Sequence, residues 1–423
     1  GRVDLAHDFR ASSVDIVGDC ATAIASFGLE AVVCGAIPTP ALALHALAAA
    51  CPAIMVTGSH IPADRNGLKF YSPTGEISKA DEAGIVAALS DMPVADGAVA
   101  THDETDLAVR RYEERFAPLL PPGALAGLRI GVFEHSSVAR DILVRVLERA
   151  GATAVPLGRR DTFVAVDTEA FGDAVLAPLK DWVRDEQLDA LVSSDGDGDR
   201  PLLMDRHGAF VRGDVLGLLA AQFLGARTVV TPVTSNSAIE RTGYFAKVIR
   251  TRVGSPFVVA AMEATDDAVI GFEANGGTLV GEGISVNGQA LPALPTRDAV
   301  LPLLCTLGLA AQQRQPIDAV VAALPLQVAL ADRLQDVPAE KSGAFLGRLM
   351  DDAGFAKTIF APHGIQSVST TDGLQFRTQS GDMVHFRASG NAPELRCYVE
   401  GSSPTVAQAL LDWAMAVAAD QVR

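Results

Sequence analysis

The sequence predicts an α/β chain of three modules in series with an α+β domain at its end. Two patterns and one bound support this. Apolar runs alternate with stretches of helical periodicity over the first three hundred residues, and short strand-like runs separated by turns replace them over the last hundred. The length of 423 residues is too great for one core and suggests about three or four domains.

The unit is clearest from Leu128 to Leu157. An apolar run, Ile130–Phe133, leads into the polar turn His135-Ser136-Ser137. Ala139, Ile142, Leu143, Val146, Leu147 and Ala150 then fall at helical spacing, with Ser137 suited to begin the helix and Gly151 to end it. Ser12–Cys34 repeats the theme, with a helix before the strand Glu30–Cys34, and Thr228–Val253 gives a strand at Thr228–Thr231 and a helix near Ser237. Strands are expected at Ser367–Thr371, Gly373–Thr378, Met383–Ala388 and Leu395–Glu400, followed by an Ala-rich helix from Thr405 to Val422. Pro121-Pro122-Gly123, the stretch Asp205–Gly213 and Gln315-Pro316 place domains at 1–122, 123–211, 212–316 and 317–423. Spacing alone shows no repeat.

Hydrophobic residues at 49% and charged residues at 20% suit a globular protein with substantial cores. A net charge of −17 argues against nucleic acid as a partner, so any anionic ligand must meet local cations. The longest apolar stretch, from Ala41 towards Val56, contains His45 and Pro52 and falls short of the roughly 20 residues a membrane span needs. No membrane partner is expected. Five scattered cysteines without CxxC spacing suggest reduced, buried thiols. With no targeting pattern at Gly1-Arg2-Val3, a cytoplasmic location is expected.

Four loops carry chemistry. Asp195-Gly196-Asp197-Gly198-Asp199-Arg200 follows an apolar run, and three carboxylates at alternate positions with glycine bends between them can converge on one hard cation. The EF-hand alternative fails, because its sixth and twelfth positions would be Arg200 and Arg206. A solvated aspartate turn is the bland alternative, and Arg200 is suited to neutralise an anion beside the metal. Thr57-Gly58-Ser59 leaves an apolar run into a small-residue turn that exposes the Ser59 hydroxyl, with His60 adjacent and Lys69 a nearby cation. Glu273 and Asn275 lie on a glycine loop suited to sugar hydroxyls, and Arg387-Ala388-Ser389-Gly390-Asn391 suits a phosphate. Each of these last loops also reads as an ordinary turn.

In this order and at these separations the loops resemble the α-D-phosphohexomutase superfamily over essentially the whole chain. Ser59 falls on the serine of its Thr-Ala/Gly-Ser-His-Asn-Pro loop, and Lys69 on the lysine of Asn-Gly-x-Lys. Asp195, Asp197 and Asp199 fall on the metal loop, Glu273 and Asn275 on the sugar loop, and Arg387, Ser389, Gly390 and Asn391 on the Arg-Pro-Ser-Gly-Thr phosphate loop. Arg10 lies in a segment similar to Asp-x-Arg-x-Ser, and Arg252, Gly254 and Ser255 occupy the third-domain loop. Ile61 and Asn391 depart from the usual Asn and Thr. The Gly-Thr-Ser/Asp-Gly-x-Arg-Gly loop that members carry earlier does not occur, so the first domain is expected to lack an N-terminal segment.

The resemblance implies three related α/β modules and a C-terminal α+β domain around a central cleft. It implies interconversion of hexose 1- and 6-phosphates through phospho-Ser59 and a bound hexose 1,6-bisphosphate, which also serves as activator. The expected catalytic residues are Ser59, His60, Lys69 and Arg200. One Mg²⁺ per chain would be held by Ser59, Asp195, Asp197 and Asp199. The substrate residues would be Arg10, Arg252, Gly254, Ser255, Glu273, Asn275, Arg387, Ser389, Gly390 and Asn391. A phosphoserine of about −1.5 to −2 charges beside three aspartates brings the site to roughly −5, which demands a divalent cation and several Arg or Lys partners. The Thr-Gly-Ser-His-Ile-Pro and Phe-Glu-Ala-Asn-Gly-Gly loops look most like mannose-phosphate enzymes, with glucose and glucosamine phosphates as alternatives. From other classes, a metal-dependent sugar phosphatase and a non-catalytic sugar-phosphate sensor remain open, as does the choice of monomer or homodimer.

Overall fold

The computed structural model of the chain describes residues 1–89, 99–168, 173–390 and 392–422. Internal contacts divide it into two compact units. The first holds Gly1–Thr231, Tyr244–Ile249 and Gly254–Ala323, and the second holds Pro232–Gly243, Arg250–Val253 and Leu324–Arg423.

Three sheets share one plan. In the first, strand Arg2–His7 lies between its parallel neighbours Glu30–Ala36 and Ala53–Val56, and Ala53–Val56 turns back antiparallel into Leu68–Ser72. In the second, Arg129–Phe133 lies between the parallel strands Thr153–Leu157 and Ala190–Ser194, and Ala190–Ser194 turns back into Pro201–Asp205. In the third, Thr228–Pro232 lies between Lys247–Thr251 and Val269–Phe272, and Val269–Phe272 turns back into Thr278–Val280. Each strand that turns back is apolar and largely or wholly buried, as a strand covered on both faces must be.

The serine, acidic and sugar loops are these three turns, residues 57–67, 195–200 and 273–277. All three leave the carboxyl end of a parallel strand, where open α/β sheets place their ligands. Their unequal lengths hide the repeat from any search by spacing.

Helix Arg140–Arg149 buries Ile142, Leu143, Val146 and Leu147, the face read from the sequence. The Ser137 hydroxyl accepts from the Ala139 N–H (3.1 Å) just ahead of it. The helix near Ser237 is a single turn, Ala238–Arg241.

In the second unit an antiparallel sheet runs in the order Val328–Leu334, Leu395–Gly401, Met383–Ala388, Leu374–Arg377, Ser367–Ser369. Helices Ala339–Asp351, Ala353–Ile359 and Pro404–Val422 pack with it around Phe345, Phe360, Phe376, Phe386, Val399 and Leu410. Strand Val328–Leu334 and the first two helices escape the sequence reading. The strand is an edge with Ala331, Asp332 and Arg333 exposed, so it shows no clean alternation.

No helix among the described residues is long and apolar enough to cross a membrane. Phe376 is 1% exposed, with its ring 4.3 Å from that of Phe360. Phe376→Ala is expected to destabilise the second unit by about 3–5 kcal/mol. Urea unfolding followed by Trp413 fluorescence measures it, and an unchanged midpoint would contradict this packing.

Candidate active site

The serine loop is built from beneath. Asp8, fully buried, accepts from the Thr57 hydroxyl (2.8 Å), and Thr57 Oγ1 in turn accepts from the Ser59 N–H (2.8 Å). Arg10, also buried, donates to Asp8 through Nε and to the carbonyls of Ser59, Ile61, Pro62 and Arg65 through its terminal nitrogens. These bonds account for all five guanidinium N–H groups. The sequence motif assigns Arg10 to the substrate; the structure commits its donors to Asp8 and the loop, with its guanidinium 3.9 Å from the centre of the Phe163 ring. So held, Ser59 takes a left-handed backbone (φ 51°) that residues with a Cβ rarely adopt. Its hydroxyl is turned onto Asp195 Oδ2 (2.7 Å) and lies 3.3 Å from His60 Nδ1.

Asp195, Asp197 and Asp199 are at most 1% exposed, and one oxygen of each lies within 4.8 Å of the others. Asp195 Oδ1 accepts the N–H groups of Asp199 and Arg200 (both 3.1 Å), folding the loop around its own carboxylate. Burial, then the charges of Asp197 and Asp199, push the Asp195 carboxyl well above its usual range. Asp197 Oδ1 and Asp199 Oδ1 are buried without a hydrogen-bond partner. A buried triplet of carboxylates that can bring one oxygen each within 4.8 Å of the others, two of them with an unpartnered oxygen, suits a hard divalent cation, so these residues fit the metal expected of them.

Cations from two other elements meet this loop. Lys69, on the strand that follows the serine loop, donates to Asp197 (2.6 Å) and Asp199 (2.8 Å). Burial alone would lower its pKa, but the two carboxylates raise it well above the usual lysine range. Arg297, on strand Leu294–Asp298, reaches Asp199 Oδ2 through Nε and Nη2 (3.1 and 2.7 Å) and Glu273 Oε2 through Nη1 (2.9 Å). Burial would raise the Asp199 pKa, yet Arg297, Lys69 and Arg200 bring it below the usual range. Arg200 Nε lies 3.8 Å from Asp199. Burial and the Arg200 charge lower the His60 pKa.

The sugar loop is tied to the same network. Glu273 also accepts from the Ser255 hydroxyl (3.0 Å), and Asn275 Oδ1 accepts from the Gly277 N–H (3.0 Å), fixing the turn. A Cβ on Gly277 would come within 2.8 Å of three side-chain carbons of Arg297, so glycine there makes room for the arginine stem. Arg297 was not singled out from the sequence. Only the pairing of its strand beside Thr278–Val280 brings it to the site.

In the second unit Arg387 donates through Nε to Asp372 Oδ2 (2.7 Å), and Arg252 Nε lies 3.8 Å from Asp372 Oδ1. Ser389 donates its N–H to the Glu394 carbonyl (2.9 Å), and Gly390 is exposed. Asn391 lies outside the described residues. Of the expected third-domain loop, Gly254 and Ser255 belong to the first unit and Arg252 to the second. A further group, Asp4, Cys34 and His45, also brings ligand atoms together, but the Arg2 guanidinium bonds Asp4 and lies 3.2 Å from His45 Nε2, filling a cation's place.

Arg297→Met would leave Asp199 and Glu273 without their shared counter-charge. A loss of about 3–5 kcal/mol in unfolding free energy at neutral pH is expected, the scale for breaking a buried ion pair from one side. Denaturant titration checks it; a variant as stable as the parent would show that Lys69 alone balances the site.

Comparison with known proteins agrees with this geometry. Family models for phosphoglucomutase/phosphomannomutase α/β/α domains I, II and III match residues 1–92, 112–208 and 212–328. A phosphomannomutase of Sinorhizobium fredii is 46% identical, over 97% of this chain and 89% of that protein. One from Salmonella muenchen is 42% identical, over 95% and 84%. A crystal structure of a phosphoglucomutase/phosphomannomutase family protein from Burkholderia thailandensis shares the fold, with a TM-score of 0.79 at 20% identity and coverage of 100% of this chain and 90% of that one. With three matching domains in order and close to half of its residues shared with such a relative, the chain belongs to the phosphoglucomutase/phosphomannomutase family of α-D-phosphohexomutases, isomerases that act by intramolecular phosphoryl transfer.

Proposed function

We propose that this phosphohexomutase interconverts mannose 1-phosphate and mannose 6-phosphate and passes the phosphoryl group through Ser59. The observation that carries the reading is the 2.7 Å hydrogen bond from Ser59 Oγ to Asp195, which joins two loops 136 residues apart. The preference for mannose rests on the serine and sugar loops and on relatives that bear the phosphomannomutase name.

In the forward step a sugar hydroxyl oxygen bonds to the phosphorus carried by Ser59 as the bond to Ser59 Oγ breaks. The products are a hexose 1,6-bisphosphate and the free serine oxygen. The bisphosphate then turns over, and Ser59 accepts its other phosphoryl group. Asp195, Asp197 and Asp199 would hold Mg²⁺ together with the Ser59 oxygen or its phosphate. The ion supplies Lewis-acid neutralisation of charge on the phosphoryl oxygens.

Two side chains manage the proton of the attacking hydroxyl. His60, beside Ser59 Oγ, has its pKa lowered and is ready to accept. Lys69 is held as a cation by Asp197 and Asp199, and becomes a base only when another cation engages those carboxylates. Arg200 balances phosphoryl charge. Glu273 and Asn275 are suited to the sugar hydroxyls, and Arg387, Ser389 and Gly390 to the substrate's other phosphate. A catalytic amount of hexose 1,6-bisphosphate would first load Ser59.

Freshly purified parent protein is expected to carry one phosphoryl group by intact mass, and Ser59→Ala none. Turnover of Ser59→Ala should fall by roughly 10⁴-fold or more, the scale of deleting a nucleophile. Chelation with EDTA should abolish turnover, and Mg²⁺ should restore it. Among mannose, glucose and glucosamine 1-phosphates, mannose 1-phosphate should give the highest kcat/KM. Full turnover by Ser59→Ala would overturn the serine assignment, and net release of inorganic phosphate would make the enzyme a phosphatase.

A further inference from the structure

Asp372 sits in the turn before strand Leu374–Arg377, is 9% exposed, and gathers groups from two other segments. Its Oδ2 accepts from Arg387 Nε (2.7 Å) and from the Val253 N–H (3.0 Å), while its Oδ1 faces Arg252 Nε at 3.8 Å. Two guanidinium groups drawn to one carboxylate would repel each other without it.

We propose that Asp372 is a positioning residue for the distal phosphate of the substrate, setting Arg387 and the Arg252–Val253 turn as one clamp. This inference rests on reading Arg387 as a phosphate ligand. The bond from Arg387 to Asp372 runs through Nε, on the side of the guanidinium. It does not use the two terminal nitrogens, whose fork can meet a phosphate bidentately. With the side-chain torsions of Arg387 fixed this way, less rotamer freedom is lost when the phosphate arrives.

The placement of Asp372 is itself enforced. His385 is buried and donates through Nε2 to the Asp372 carbonyl (2.6 Å), and its ring stacks on that of Tyr398. The next residue, Gly373, has φ 75°, and a Cβ there would stand 2.3 Å from the Phe386 carbonyl oxygen. The turn therefore presses directly on the strand that carries Arg387, paired through Leu374 and Phe386. Asp372 shares no element with either arginine, so it is set by the sheet and not by local sequence.

The test uses the full-length phosphorylated enzyme and three single variants. In Asp372→Asn the shape is kept and the charge lost; in Asp372→Glu the charge is kept and displaced by one methylene. Both should raise KM for mannose 1-phosphate by about 10–100-fold, the scale for losing a group that orients a ligand-binding residue. Both should leave kcat within about twofold, and both should weaken competitive inhibition by inorganic phosphate in parallel. Arg387→Ala is the control, and combining it with Asp372→Asn should add no further rise in KM.

A rise in KM for Asn with none for Glu would overturn positioning in favour of simple charge balance. A lower unfolding midpoint with unchanged KM, or a lowered KM, would overturn it as well. If Arg387→Ala leaves KM unchanged, the phosphate-loop reading fails, a result distinct from failure of the Asp372 variants alone.

Discussion

Three carboxylates buried within 4.8 Å of one another demand positive charge, and the architecture of the first unit is organised around supplying it. Two like unit charges 4 Å apart cost about 4 kcal/mol at an effective dielectric of 20, so an uncompensated triplet would strain a fold of ordinary stability. Lys69 comes from the first module, Arg297 from the last strand of the third, and Arg200 from the acidic loop itself. Thr39 adds a hydroxyl from the first module to Asp197. The charge of the acidic loop is thus also what ties three modules to one place.

The shared plan of the modules explains how the loops divide the work. Each leaves the carboxyl end of a parallel strand and returns on an antiparallel neighbour, so the same backbone position offers a serine, an acidic triplet or a glutamate. Arg10 and Arg297 show what keeps such loops in register. One spends its donors inside a loop, and the other spans two loops. Both cost buried charge, and both meet it with paired acids, Asp8 for Arg10 and Asp199 with Glu273 for Arg297.

Much of this was legible in the sequence where chemistry is local. Three aspartates alternating with glycine after an apolar strand can be read without coordinates, and so can a serine leaving a strand in a small-residue turn. Helix Arg140–Arg149 announced itself by its apolar spacing. What escaped were residues whose role exists only across a sheet. Arg297 stands in an unremarked Pro-Thr-Arg-Asp stretch, and Asp372 in a Thr-Asp-Gly turn that reads as a surface bend. Strand Val328–Leu334 escaped because an edge strand with exposed polar residues lacks the period-two signal. The motif around Arg10 names the residue without saying which way its donors point, and all five go to Asp8 and the serine loop.

The proposed chemistry turns on one divalent cation shared between the phosphoserine and the aspartate triplet. Phosphorus NMR of the phosphorylated protein with Mn²⁺ in place of Mg²⁺ tests it most directly, because a paramagnetic ion bound at the phosphate broadens its resonance. The phospho-Ser59 signal should disappear as Mn²⁺ saturates the site in the parent, and survive in Asp197→Ala/Asp199→Ala. A phosphoserine resonance that stays sharp in the parent under saturating Mn²⁺ would contradict it.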